Sequence, residues 1–309
     1  RRRGCQTAAD PFAALVARAT APQPGDSGAL PHVLAHADAG DLLAQVPAAT
    51  IDLVYIDPPF GTGVARAGRE GAGYADALPS GIEGHVAWLR ELLAACHRVL
   101  RPSGSLFLHL DWRVSHRARV VLDELFGEAS FRNEIIWRYG LGGGAPRDAF
   151  ARKHDTILFY ARSGEATFHA ERGPVTAAME AKYAHVDELG RRYQNAHGRR
   201  YYLRGGKRLD DVWEMPALSP TARERVGWPT QKPLALLERI VRAASNPGDC
   251  VLDPCCGSGT ALVAAASLGR RAIGGDRARE AVDLSAARLA ALTGAPQPRP
   301  ITRVDGVLP

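Results

Sequence analysis

Asp57-Pro58-Pro59-Phe60 is the segment of this sequence whose residue types and spacing carry the most specific chemistry. It follows the apolar, β-branched run from Ile51 to Ile56, which reads as a buried strand ending in a loop that proline keeps from becoming helix. Open α/β sheets place their ligands at that edge of a strand. Asp57 supplies a carboxylate there, Pro58 a backbone carbonyl, and the paired prolines fix both acceptors before a ligand arrives. Two such acceptors suit an exocyclic amine on a nucleobase. That nitrogen is conjugated with its ring and attacks a sulfonium methyl group poorly until acceptors draw it toward tetrahedral geometry. Phe60 offers a face for stacking an extruded base. The plain structural alternative is an acidic β-turn with an aromatic plug.

A second constellation is Asp253-Pro254-Cys255-Cys256-Gly257-Ser258-Gly259-Thr260, with Asp276 ending the next apolar run. Glycine after a strand lets backbone approach a ligand, and the following helix start presents N–H groups. An acid roughly twenty residues on is where a ribose hydroxyl pair is held. The G-x-G-x-x-G fingerprint is absent, so this turn alone suggests a nucleoside cofactor without choosing between NAD and S-adenosylmethionine. Asp57 to Phe60 makes that choice, because a dehydrogenase leaves them unexplained and a non-enzymatic DNA-binding module needs neither constellation. Pro254-Cys255 also invites comparison with cytosine C5 methylation, which uses a Pro-Cys thiolate. The dipeptide lies in the cofactor turn, however, and amine methylation needs no covalent intermediate; Cys255 and Cys256 read as buried thiols.

The elements that must position these residues alternate. Helical spacing is predicted over Leu89 to Leu100, stopped by Arg101-Pro102 and Gly104, then a strand over Ser105 to Leu110 and a helix over Val114 to Phe126 closed by Gly127. Strands follow at Glu134 to Tyr139 and Thr156 to Tyr160. From Pro233 the rhythm resumes: helix Leu234 to Ala244, strand Cys250 to Asp253, helix Thr260 to Leu268, strand Arg271 to Gly274 and helix Arg279 to Leu292. This predicts a Rossmann-like α/β fold, a mostly parallel sheet with helices on both faces. Residues 162–228 break the rhythm and are too aromatic for a disordered spacer, so they read as an inserted region. The predicted organisation is a catalytic half over 30–161, an insert over 162–228 and a cofactor half over 229–295. Gly61 to Ser80, with Arg66, Arg69, Tyr74 and Asp76, reads as a mobile loop closing over the everted base.

The 309 residues carry a net charge of +6, which favours an anionic partner. Distribution says more. Arg191, Arg192, Arg199, Arg200, Arg204, Lys207 and Arg208 cluster without an acid among them and with Tyr193, Tyr201 and Tyr202 interleaved, a phosphate-contacting pattern. Five cysteines without framework spacing or a C-x-x-C pair argue against a disulfide scaffold and a structural zinc site. His36, His109 and His154 lack metal-ligand spacing and read as structural, and no metal is expected. No apolar run reaches membrane-spanning length and no signal peptide is visible, so no membrane partner and a cytoplasmic location are expected.

These motifs resemble the amino-methyltransferases of DNA, in particular the permuted class in which the catalytic segment precedes the cofactor segment. The similarity runs from about His36 onward and rests on Ile56 to Phe60, Thr230-Gln231-Lys232-Pro233 and Asp253 to Thr260. His109 to Trp112 and Asn133 to Trp137 also resemble members of this class, including type III modification subunits. The resemblance implies S-adenosylmethionine as cofactor and double-stranded DNA as substrate. It implies that Asp38 contacts the cofactor adenine, although Ala37 stands where the family has Gly. Lys232 matches a lysine near the cofactor carboxylate, with Thr230 beside it. Asp253, Pro254, Gly257, Ser258, Gly259 and Thr260 match the turn around the methionine moiety, and Asp276 the ribose contact. Cys255 departs from the aromatic common in the family. Asp first in the motif leans toward adenine N6, with cytosine N4 as the alternative and a non-DNA amine, usually served by Asn, as a remote one. A homodimer and a cognate restriction endonuclease are the further partners the resemblance brings.

Overall fold

The computed structural model describes residues 16, 32–60, 65–67, 73–75, 81–140, 146–292 and 301–305. In chain order these form β1 (His32–His36), α1 (Ala39–Gln45), β2 (Ile51–Ile56), the short strands β3 (Ala65–Ala67) and β4 (Gly73–Ala75), α2 (Gly81–Val99), β5 (Leu100–Leu110) and α3 (Ser115–Phe126). There follow β6 (Phe131–Arg138), β7 (His154–Ala161), α4 (Ala177–Lys182), β8 (His185–Val186), β9 (Arg192–Ala196), β10 (Arg199–Tyr202) and β11 (Val212–Glu214). The chain continues through α5 (Leu234–Ala244), β12 (Cys250–Asp253), α6 (Thr260–Ser267), β13 (Arg271–Asp276), α7 (Arg279–Leu292) and β14 (Ile301–Asp305).

Nine strands make one sheet in the order β11-β6-β7-β5-β2-β12-β13-β1-β14. Within this sheet, among its described strands, only β7 runs against its neighbours, β5 and β6; the other neighbours are parallel. Among the described residues no helix lies between β6 and β7, and the chain doubles back there. β2, apolar but for Asp52, sits in the interior of the sheet with all six residues buried, Asp52 being held by Arg101 and the Cys250 N–H. Val54 and Ile56 pack into a core shared with Leu42, Leu89 and Val121 of α1, α2 and α3. Leu53 and Tyr55 pack on the opposite face with Leu237, Leu262 and Val282 of α5, α6 and α7. That period of two is what a strand buried on both sides must show.

Two expectations shift at element ends. α2 begins at Gly81, eight residues before the predicted start, and buries His85 as well as Leu89, Leu92 and Leu93. β5 begins at Leu100, so the supposed stop at Arg101-Pro102 and Gly104 lies within the strand. Gly104 is needed there: a Cβ would stand 2.9 Å from the Ile51 carbonyl oxygen of β2. Within 61–80, β3 and β4 pair as a short antiparallel ladder, while Arg69, Asp76 and the Arg66 and Tyr74 side chains lie outside the described residues. No helix among the described residues is long and apolar enough to cross a membrane.

Candidate active site

β2 and β12 are parallel neighbours whose chains leave in opposite directions. From β2 the chain goes toward β5 through α2, and from β12 toward β13 through α6 on the other face. Loops that diverge in this way leave a crevice beyond the carboxyl ends of the strands. Here the crevice is a cleft of about 1020 Å³ including its open mouth. A cleft of that size suits a nucleoside-sized ligand.

The turn after β12 forms one wall, and its shape depends on two glycines. Gly257 has φ +48°, and a Cβ on it would stand 2.9 Å from Trp228 Nε1. Gly259, at φ +73°, starts α6, where a Cβ would lie 2.4 Å from Ser285 Oγ. Both positions therefore demand glycine for conformation and for space. Arg288 locks the turn from α7, donating to the Ser258 carbonyl at 2.6 Å and to Thr260 Oγ1 at 3.0 Å. Asp276, at the end of β13, accepts the Gly257 N–H at 2.9 Å and the Ala278 N–H at 2.8 Å. Asp253 is buried and accepts the Cys255 N–H at 3.1 Å. Burial pushes the Asp253 carboxyl well above the ordinary carboxylate range, and raises that of Asp276 as well. On the far side Asp38 caps α1 by accepting the Gly40 N–H at 3.0 Å, and it too lines the cleft.

The loop after β2 forms the opposite wall. Asp57 Oδ2 pairs with Lys232 Nζ, which crosses from the segment before α5. Gln231 fixes that segment, accepting from the Val226 N–H at 2.8 Å and donating to the Glu224 carbonyl at 2.7 Å. Lys232 Nζ also stands 5.7 Å from the centre of the Phe60 ring. The other oxygen of Asp57, Oδ1, is buried and has no hydrogen-bond partner among the described residues. A carboxylate oxygen in that state costs free energy unless a donor meets it. It is an acceptor waiting for an N–H.

Behind the loop lies a buried polar chain. Tyr55 O–H and His109 Nδ1 are 3.0 Å apart, His109 Nε2 and Asp155 Oδ2 are 3.2 Å apart, and Tyr139 O–H donates to Asp155 Oδ1 at 3.2 Å. Both ring nitrogens of His109 are thus engaged, as a structural histidine requires. Burial alone would raise the Asp155 carboxyl, but His109 and Lys232 hold it below its ordinary value. The same chain seats Phe60, whose ring centre lies 6.4 Å from that of His109.

The cleft brings together Asp38, Asp57, Pro59, Thr230, Lys232, Asp253, Pro254, Gly257, Ser258, Thr260 and Asp276. Pro58 is buried beneath the loop, and Gly259 shapes the turn from behind rather than lining it. Trp88 and Trp228 also line it, and sequence reasoning did not single them out. Trp228 sits two residues before Thr230, which was a signal; Trp88, inside a long amphipathic helix, gave none. Together they set aromatic surface beside Cys255, the position where an aromatic is missing. Burial pushes the Cys255 and Cys256 thiols well above their ordinary range, so neither is a thiolate nucleophile.

The basic cluster lies apart from the cleft. An antiparallel stalk carries it, with Arg172 bridged to Arg208, Gly173 N–H donating to the Lys207 carbonyl at 2.9 Å and Leu209 N–H to the Glu171 carbonyl at 3.1 Å. Beyond the stalk β8, β9 and β10 form a three-stranded sheet. Tyr193 and Tyr202 face each other across β9 and β10, with the Arg200 guanidinium over the first ring at 4.9 Å and Arg191 over the second at 4.5 Å. Arg191, Arg192, Arg199, Arg200, Arg204, Lys207 and Arg208 are all exposed. Among the described residues, Arg191 is the one member of this cluster with a carboxylate partner, Asp187.

A family described as DNA methylase matches residues 51–287 of the chain. DNA adenine methyltransferase YhdJ of Escherichia coli K12 is 31% identical over 255 residues, covering 82% of this chain and 81% of that protein. Type II methyltransferase M.BglII of Bacillus subtilis is 30% identical over 260 residues, covering 80% of this chain and 66% of its own length. A crystal structure of a candidate DNA modification methylase from Thermus thermophilus, complexed with S-adenosyl-L-methionine, superposes with a TM-score of 0.57 at 23% identity, covering 89% of this chain and 99% of that one.

Proposed function

The chain belongs to the DNA methylase family of N6/N4 amino-methyltransferases, and from that premise we propose that it methylates the N6 amino group of adenine in double-stranded DNA, with S-adenosylmethionine as methyl donor. The observation that carries the reaction is the divided state of Asp57: one oxygen held by Lys232, the other buried and without a partner among the described residues. Adenine N6 is favoured over cytosine N4 by Asp at the head of the loop and by the adenine methyltransferase among the relatives.

The residues present fit the cofactor. Two glycines leave the turn after β12 open, Asp276 and Asp38 present carboxylates from the adjoining ends of β13 and β1, and Trp88 and Trp228 supply faces for an adenine ring. Asp253, Pro254, Ser258, Thr260 and Thr230 complete the wall. When bound, S-adenosylmethionine supplies an electrophilic methyl on a sulfonium. The chain does the rest by positioning. Asp57 Oδ1 accepts one N–H of the everted base's amine, and the Pro58 carbonyl the other. Phe60 stacks on the ring and fixes its plane. Lys232 keeps Asp57 from turning away, so the amine stays oriented toward the side of the cleft where bound S-adenosylmethionine would supply its methyl.

The stalked sheet of β8, β9 and β10 takes phosphates through Arg192, Arg199, Arg200, Arg204, Lys207 and Arg208, and reads base edges nearby. Exposed guanidiniums held over tyrosine rings support this reading, because stacking orders them before DNA arrives. A homodimer and a cognate restriction endonuclease are the further partners of this reading.

Methylome sequencing of a methylation-free host expressing the chain tests the reaction. The expected result is N6-methyladenine at one DNA sequence, abolished by Asp57→Ala while the purified variant still binds S-adenosylmethionine. N4-methylcytosine at that sequence would move the target to cytosine, and an active Asp57→Ala variant would remove the mechanism.

A further inference from the structure

The edge of the sheet that carries Asp57 also carries an exposed aromatic with two arginines. Leu108 of β5 lies opposite Ile56 of β2, so the chain leaving β5 passes beside residues 57–60. Leu110 lies opposite Thr156 of the antiparallel β7, so the residues entering β7 stand at the same edge. There Trp112 is 45% exposed, with the Arg152 guanidinium 4.1 Å and the Arg113 guanidinium 4.9 Å from its ring centre. Phe150, on the same approach to β7, is almost fully exposed.

The two arginines differ. Arg113 is already paired with Asp111, which also accepts its backbone N–H at 2.9 Å. Arg152 has no carboxylate partner among the described residues, and its contact is the indole face. A guanidinium laid flat on an aromatic keeps its N–H edge free and loses less freedom when an anion arrives. We propose that Arg152, held on Trp112, binds a phosphodiester of the DNA backbone next to the nucleotide whose base enters the cleft, a site separate from the stalked sheet. The assignment rests on the DNA reading above. A nucleotide turned toward Asp57 must lay its own backbone across this rim, and a cation there holds the strand open at no cost to base choice.

Duplex affinity measured against salt concentration tests the site, with S-adenosylmethionine titration calorimetry reporting on each variant's fold. Arg152→Ala lowers duplex affinity about tenfold and makes the slope of log affinity against log salt shallower by about one. Trp112→Ala produces the same change although it removes no charge, whereas Trp112→Phe keeps a stacking face and stays near wild type. If wild-type protein binds and methylates DNA while Arg152→Ala and Trp112→Ala keep the full slope and normal cofactor binding, the phosphate site is overturned and the DNA reading stands. If wild-type protein binds no duplex, both fall together.

Discussion

Asp57 makes its chemistry out of an asymmetry. A carboxylate free to rotate would offer either oxygen to solvent; here Lys232 engages Oδ2, and Oδ1 is buried without a donor among the described residues. In the proposed reaction Lys232 is therefore a positioning residue whose effect would reach the base through Asp57. Its resemblance-based place, beside a cofactor carboxylate, and its observed place, on Asp57, share one cleft, and the ion pair is what the structure holds. Lys232→Gln is expected to lower kcat about a hundredfold, the scale of a misplacement of roughly an ångström. Lys232→Arg is expected to recover part of that loss because it restores the cation. Steady-state kinetics at saturating DNA check it: a loss confined to the KM for S-adenosylmethionine would show that Lys232 serves the cofactor and not Asp57.

At the scale of elements, the strands bearing the two constellations were plain in the sequence because their runs are mostly apolar, Asp52 being the exception in β2, and each ends at an Asp-Pro step. Ile51–Ile56, Cys250–Asp253 and the helices Leu234–Ala244 and Arg279–Leu292 stand where the pattern put them. Direction was less legible. Nothing in His154–Ala161 states that it runs against β5 and β6, since both arrangements need the same apolar residues. β1 and α1 went unread as elements because the run around His32 is short, although Asp38 between them was found. In the cleft, motif residues were legible and packing residues were not: Trp88 is recognisable only once α2 is laid against the turn. The turn itself makes a sharp prediction. Gly259→Ala forces a side chain into left-handed backbone and against Ser285, and is expected to destabilise the fold by about 3 kcal/mol. Denaturant unfolding measures this, and a loss under about 1 kcal/mol would mean the turn yields easily.

For the whole molecule, the buried acids tie stability to pH. Burial raises the Asp253 carboxyl, so the folded chain holds that proton to a higher pH than the unfolded chain does. The stabilisation this gives is complete below the ordinary carboxylate value of about 3.9 and is lost as pH rises through the folded value. Asn at this position cannot ionise yet keeps an acceptor for the Cys255 N–H. The melting temperature of Asp253→Asn, relative to its parent, is therefore expected to climb as pH rises above about 4; a pH-independent difference would contradict the assignment.

The pairing of Asp57 with Lys232 joins positions 175 residues apart, with the stalked sheet between them in the chain. During translation the ribosome releases the acidic partner long before the lysine and the glycine turn exist, so an unfinished polypeptide has no working centre with which to alkylate the genome. For the same reason a break in the outlying sheet would leave Asp57 on one piece and Lys232 with the glycine turn on the other, so that neither piece carries the whole of the proposed site.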